Sequence, residues 1–363
     1  MEKPSLDTAK AGAMRFNTDS SQMEIYDGNQ WTGILATSPE LQTGGTRAMM
    51  LSGAYPVNTD IQIFNIATTG NAVDSGFDFG TTRYLGAAAS DRTRGVYFGG
   101  YSPSAEIRFN SIPSVGTTSD FGDLTSARFG ATGVSNGTRG ISLGGSGPSG
   151  STINAGMNNI DYVTIQSLGD AVDFGDLIQE LASIQSCQSK TRGIITGGSE
   201  DSSNSRVNGI EYITMSTLGN AADFGDASAV HGGNNNGGGG NAVRGIFHIG
   251  NTYSNTLEFI TIATLGNSTD FGDDIMQRGG GIGFFSSPTR TVLGGGNQPS
   301  DNETNVIAYV QTMTKGNALD FGDLTNSILF KYAVGVYPPA DTALVEFATA
   351  PLCPSLVKLM SPK

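Results

Sequence analysis

Asp173, Phe174 and Gly175 spell DFG, the tripeptide whose aspartate holds catalytic magnesium in a protein kinase. That chemistry needs one such aspartate, with a glycine-rich loop, a strand lysine and an HRD-type catalytic loop elsewhere. Here DFG starts six times, at Asp78, Asp120, Asp173, Asp223, Asp270 and Asp320, and neither histidine, His231 or His248, sits in such a loop. Repetition argues for structure. Phe174 and its equivalents are expected to fill the space between adjacent sheets. Gly175 is expected to permit a bend or a close backbone approach, and Asp173 and Asp176 to cap turn amides.

A second charged group recurs in step. It reads TRAMMLSG from Thr46, TRGVYFGG from Thr93, TRGISLGG from Thr138, TRGIITGG from Thr191, VRGIFHIG from Val243 and TRTVLGGG from Thr289. An unpaired buried guanidinium costs several kcal/mol, so Arg47, Arg94, Arg139, Arg192, Arg244 and Arg290 each need a partner. The favoured reading is an ion pair or carbonyl clamp within a unit or to its neighbour, with the DFGD aspartates as candidates. The other reading is a ring of arginines around a central channel that binds anions. Cysteine adds no chemistry: Cys187 and Cys353 are too few for a disulfide framework or a zinc knuckle. No catalytic, cofactor-binding or metal-ligating residue is therefore assigned, and no cofactor is expected.

The elements that carry these residues follow from the spacing. The chain has 363 residues, 52 of them glycine, and only 15% are charged. Short apolar runs separated by Gly, Ser, Thr and Asn fit an all-β protein with many tight turns. Short helices are expected only around Asp176–Ile184 and near the C-terminus. A net charge of −13 lacks the basic face that nucleic acid requires. No apolar run is long enough to span a membrane, and MEKPSLDTAK lacks the apolar region of a secretory signal.

Between the two landmarks runs an alternating strand, as in IDYVTIQSLGDAVDFGDL, IEYITMSTLGNAADFGD and LEFITIATLGNSTDFGD. Each unit thus offers an arginine-led strand, a variable loop, this alternating strand, a G-[ND]-A turn and a strand through DFGDL. A fourth stretch such as ARFGATGVSNG leads to the next arginine. Four short antiparallel strands in about 50 residues make one blade of a β-propeller.

The unit resembles a kelch repeat, with the phenylalanine of DFG in place of that family's usual tryptophan. In YVTIxxxGNAxDFGDL with TRGxxxGG it is similar to repeat proteins encoded by marine bacteriophages, notably cyanophages. The segment AGAMRFNTDSSQMEIYDGNQWTGIL, from Ala11 to Leu35, reads as strand, polar turn, strand, GNQ turn and strand. It resembles a short module of phage tail, fibre and appendage proteins.

The organisation expected is an attachment hairpin over residues 1–45, which in a seven-bladed arrangement completes the closing blade, propeller repeats over 46–341, and a closing strand and tail over 342–363. The stretch SILFKYAVGVYPPADTALVEFAT reads as a fourth strand followed by an arginine-strand equivalent. Seven blades are expected if both termini build a composite blade, which removes exposed edges, and six otherwise. Polar loops such as GPSGSTINAGMNN, SEDSSNSRVN and HGGNNNGGGGNAV are where binding would sit, with Tyr101 and Tyr253 as candidates to stack on sugars. The resemblance implies a non-enzymatic virion protein, a tail fibre, appendage or capsid decoration assembled in the host cytoplasm. Its partners would be other virion proteins of the tail, the portal and neck or the capsid, with host surface polysaccharide and further copies of itself as candidates. A carbohydrate-binding surface lectin is the alternative. A propeller glycoside hydrolase ranks below both, because it needs convergent carboxylates at the axis.

Overall fold

A computed structural model of the chain describes residues 10–17, 22–34, 46–53, 58–81, 84–101, 103–147, 156–200, 205–232, 237–250, 253–299, 302–327 and 332–335. They are all-β. They fall into two compact units, one within Met1–Thr43 and the other within Gly44–Lys363. The expected helix at Asp176–Ile184 is instead the end of a strand, Val172–Leu181. Leu177, Ile178 and Leu181 mimic helical spacing, but Leu177 and Leu181 face the core while Ile178 is exposed. The expected C-terminal helix lies outside the described residues.

The first unit is a three-stranded antiparallel meander of Met14–Asn17, Gln22–Tyr26 and Trp31–Ile34. Arg15 Nη2 lies 2.6 Å from Glu24 Oε2 on the neighbouring strand, and its guanidinium lies over the Trp31 ring at 4.1 Å. Asp27 Oδ1 accepts the amides of Asn29 and Gln30 at 2.7 Å each and so shapes the second turn.

The second unit contains, among the described residues, six four-stranded antiparallel sheets, an arrangement consistent with a β-propeller. The third sheet is representative. Its strands are Thr132–Ser135, Arg139–Leu143, Met157–Thr164 and Val172–Leu181, in that spatial order. Because the short strand before each arginine pairs with that arginine strand, each sheet begins one strand earlier than the sequence repeat. The first sheet is assembled from both ends of the unit. Tyr332–Gly335 pairs antiparallel with Arg47–Gly53, followed by Asn58–Asn65 and Val73–Asp78. Tyr332–Gly335 therefore takes the innermost place, as the fourth stretch does in the other sheets, and the arginine-strand equivalent expected after it lies outside the described residues. The described N-terminal strands form a sheet of their own.

The innermost strands of successive sheets touch, from Ala87–Ser90 through Thr132–Ser135, Gln185–Gln188, Gly238–Gly240 and Ile282–Ser286 to Tyr332–Gly335. That last strand contacts Ala87–Ser90 again, so the contacts close into a cycle. Glycine makes the approach possible. A Cβ on Gly133 would stand 2.2 Å from Ala88 O, and one on Gly238 would stand 2.5 Å from Ser186 O.

DFG is a β-bulge. In the third sheet Ile160 pairs with Gly175 and the next residue, Asp161, pairs with Asp173, leaving Phe174 as the extra residue. The same skip occurs at Phe121, Phe224, Phe271 and Phe321. A bulge bends the strand and turns the extra side chain, and Phe174 is 2% exposed. It shares a core cluster with Ile195, Ile213 and Met215 of the fourth sheet, so it fills the space between sheets.

Candidate functional site at the sheet junctions

Two devices fasten each sheet to the next. The first is the bulge glycine. Gly175 has φ of +147°, and a Cβ there would stand 2.6 Å from Gly219 of the following turn. Across that gap Gly219 N donates to Phe174 O at 2.9 Å and Ala221 N to Asp176 O at 2.8 Å. Asn220 Oδ1 accepts the amide of Asp176 at 3.1 Å. Asn267, Asn317 and Asn71 repeat the last contact on Asp226, Asp273 and Asp323, and Asp170 repeats it on Asp123. Capping thus runs opposite to expectation: the asparagine of the turn serves the DFGD backbone. Asp173 itself is exposed at the strand edge, and its carboxylate has no hydrogen-bond partner among the described residues.

The junction from the first sheet to the second departs from this pattern, because GTT replaces G-[ND]-A there. Thr118 Oγ1 donates to Phe79 O, and Arg108 holds the threonine through Nε at 2.7 Å.

The second device is the repeated arginine. Arg139 Nη1 donates to Met215 O at 3.0 Å, and its guanidinium lies 4.9 Å from the Tyr162 ring centroid on its own sheet. Arg94, Arg192 and Arg244 reach Ile165, Ile262 and Thr312 in the same way, over Phe109, Tyr212 and Phe259. Arg47 reaches Ile112 and Pro113 of the second sheet, and Arg290 of the sixth reaches Ile66 and Ala67 of the first. All six are carbonyl clamps, and none uses a DFGD aspartate. One or two charged hydrogen bonds hold each guanidinium in place, and an aromatic platform lies under all but that of Arg47.

Below the clamps lies a buried polar belt that the sequence did not disclose. Arg128 and Asp161 pair across the second and third sheets with both side chains fully buried. Arg128 Nη1 also donates to Asn159 O at 3.1 Å, and Thr125 Oγ1 donates to the Asp161 carboxylate at 2.8 Å. Leu181, His231 and Arg278 occupy the place of Arg128 in the next three sheets, each buried. Facing them from the next sheet, at the place of Asp161, are Glu211, Glu258 and Ala308. Where alanine supplies no acid, Asp274 of the same strand does, and Arg278 Nε donates to its Oδ2 at 2.7 Å.

Burial sets the protonation of this belt. It holds the Asp274 and Glu211 carboxyls above the ordinary range, with Arg278 opposing the shift at Asp274. It lowers His231, and it drives His248 down to about 3 with help from the Arg278 charge. Cys187 is buried, and its thiol is pushed well up by the same cause. The recurring acid inside I-D-Y, I-E-Y and L-E-F was the signal for the acidic half of this belt.

The loop candidates divide. Tyr101 stacks on Tyr84 with ring centroids 5.0 Å apart and is 36% exposed. Tyr253 instead packs beside Gly279, where a Cβ would meet its ring at 2.6 Å. Residues 148–155, 201–204 and 233–236, from the three variable loops, lie outside the described residues. No group of His, Cys, Asp and Glu among the described residues is placed to hold a metal ion. Among the described residues no helix is long and apolar enough to cross a membrane. Compared with known proteins, the chain matches no family model and no curated sequence.

Proposed function

We propose that this chain is a non-enzymatic structural protein of a bacteriophage particle, a tail fibre, appendage or capsid decoration whose second unit is a six-bladed, kelch-like propeller. One observation carries the reading: the repeated residues are spent on fastening sheets together. The DFG phenylalanines are buried, five of the six DFG glycines sit against the next turn, and all six arginines grip a carbonyl of the next sheet. A motif engaged in this way serves rigidity. Such a scaffold suits display of variable loops, where binding residues collect.

The phage-type repeats and the fibre-type hairpin supply the setting, with the three-stranded N-terminal unit as the attachment point to other virion proteins. Adhesion to host surface polysaccharide follows from the display role, since many copies on one particle multiply weak contacts. Purified protein should bind host cells and compete with phage adsorption. Binding without competition would favour the lectin reading, which the half-exposed Tyr101 stack supports. Absence of both would leave an architectural role alone.

A further inference from the structure

The six clamps are alike, but the spaces beside them are not. At the junction of the second and third sheets, Gln166 follows the clamped Ile165 and donates through Nε2 to Asp91 and to Thr93 Oγ1, closing the gap. At the junction of the fourth and fifth sheets the same place holds Ala263, after the clamped Ile262. There a depression of about 380 Å3 opens, lined by Ser189, Lys190, Thr191, Arg192, Ala242, Ile262 and Ala263. Its turn reads SKTR where the second sheet has DRTR, so serine replaces the aspartate while a cation, Lys190 in place of Arg92, is kept two residues before the arginine.

We infer that this depression binds the oxyanion of an acidic sugar, a carboxylate or a sulfate ester, through Arg192 and Lys190. Arg192 is already oriented. Its Nη1 donates to Ile262 O at 2.9 Å, and its guanidinium lies over the Tyr212 ring, 4.7 Å from the centroid. Among the described residues no partner takes its Nε or Nη2, so the guanidinium keeps donors to offer in the fork that suits a planar or tetrahedral oxyanion. A preset cation loses little freedom on binding. Ile262, Ala242 and Ala263 add an apolar wall for the carbon skeleton of a pyranose. In a chain of net charge −13, two cations lining one depression make a local anion site against the overall field. The choice of a sugar rests on the adhesion role proposed above; the anion chemistry rests on the depression alone.

The test is a calorimetric and NMR titration of the full chain, at low salt, with galacturonate, glucose 6-sulfate and neutral galactose. Either or both acids should bind with Kd on the order of millimolar, weakening as salt screens the cations, and galactose should not. Whichever acid binds identifies the oxyanion. Ala263→Gln, which copies Gln166 and leaves the clamp intact, should weaken binding at least about tenfold without lowering Tm. Lys190→Met should weaken it as well. Equal binding of galactose, no binding of either acid, or unchanged affinity in Ala263→Gln would overturn the inference. Binding by a protein that proved absent from phage particles would leave this site standing while the virion role fell.

Discussion

Arg290 Nη1 lies 2.9 Å from Ala67 O, joining residues 223 positions apart in the chain. The same Nη1 lies 3.3 Å from Ile66 O, which repeats the contact that Arg139 makes with Met215, so the first and last sheets meet through the same device as their interior neighbours. Replacing either arginine by methionine keeps much of the side-chain volume and removes the charged hydrogen bond. Arg139→Met and Arg290→Met should each cost roughly 1.5–3 kcal/mol, measured by urea denaturation. A loss at Arg139 with none at Arg290 would show that the closing seam carries no load.

Phe174 is the extra residue of a bulge and packs among residues of two sheets. Phe174→Ala should cost about 3–5 kcal/mol through the cavity it leaves. Added magnesium should leave the melting temperature of the wild type unchanged; a rise would restore the metal-ligand reading of Asp173.

Gly175 and Gly219 share nearly the same φ, +147° and +144°, yet only Gly175 faces backbone within contact distance. Alanine strains both positions, and at Gly175 it must also displace the next sheet. Gly175→Ala should therefore destabilise more than Gly219→Ala by at least ~1 kcal/mol. Equal losses would mean that the close approach is not needed.

Much of this architecture was legible. The DFG repeat, the need of each arginine for a partner and the strand order all follow from residue type and spacing. The clamp partners were not legible, because a backbone carbonyl leaves no mark in a sequence. The buried belt escaped for another reason. Arg128, Leu181, His231 and Arg278 share one structural position but no side-chain chemistry, so a search for identical residues passes over them. The bulge hid the strand end at Asp176–Leu181 by shifting its alternation.

That belt offers a test of how its charges are balanced. Arg278→Leu alone leaves Asp274 buried without its cation and should cost about 3–5 kcal/mol. The double change Asp274→Leu with Arg278→Leu copies Leu177 and Leu181 of the third sheet and faces apolar Ala308. It should regain most of that loss in a double-mutant cycle. A double variant as unstable as the single would refute the compensation.

The buried histidines fix the direction of the acid response. The unfolded chain takes up these protons near the ordinary value of about 6.5, whereas folded His248 does so only at about 3 and folded His231 below its usual range. Their contribution is complete above the unfolded value and is lost as pH falls through it. Glu211, raised by burial, has the opposite sign: its contribution is present at low pH and lost as pH rises through its folded value. Tm should fall between pH 7 and pH 4, and His248→Leu should flatten the fall. An unchanged slope in that variant would contradict the assignment.

The role proposed for this scaffold is on the outside of a phage particle. Immunogold electron microscopy of purified particles, with antibody raised against the second unit, tests it most directly. Gold at a fixed place on the tail, neck or capsid surface is the predicted result. Label confined to infected-cell cytosol, with none on purified particles, would contradict it.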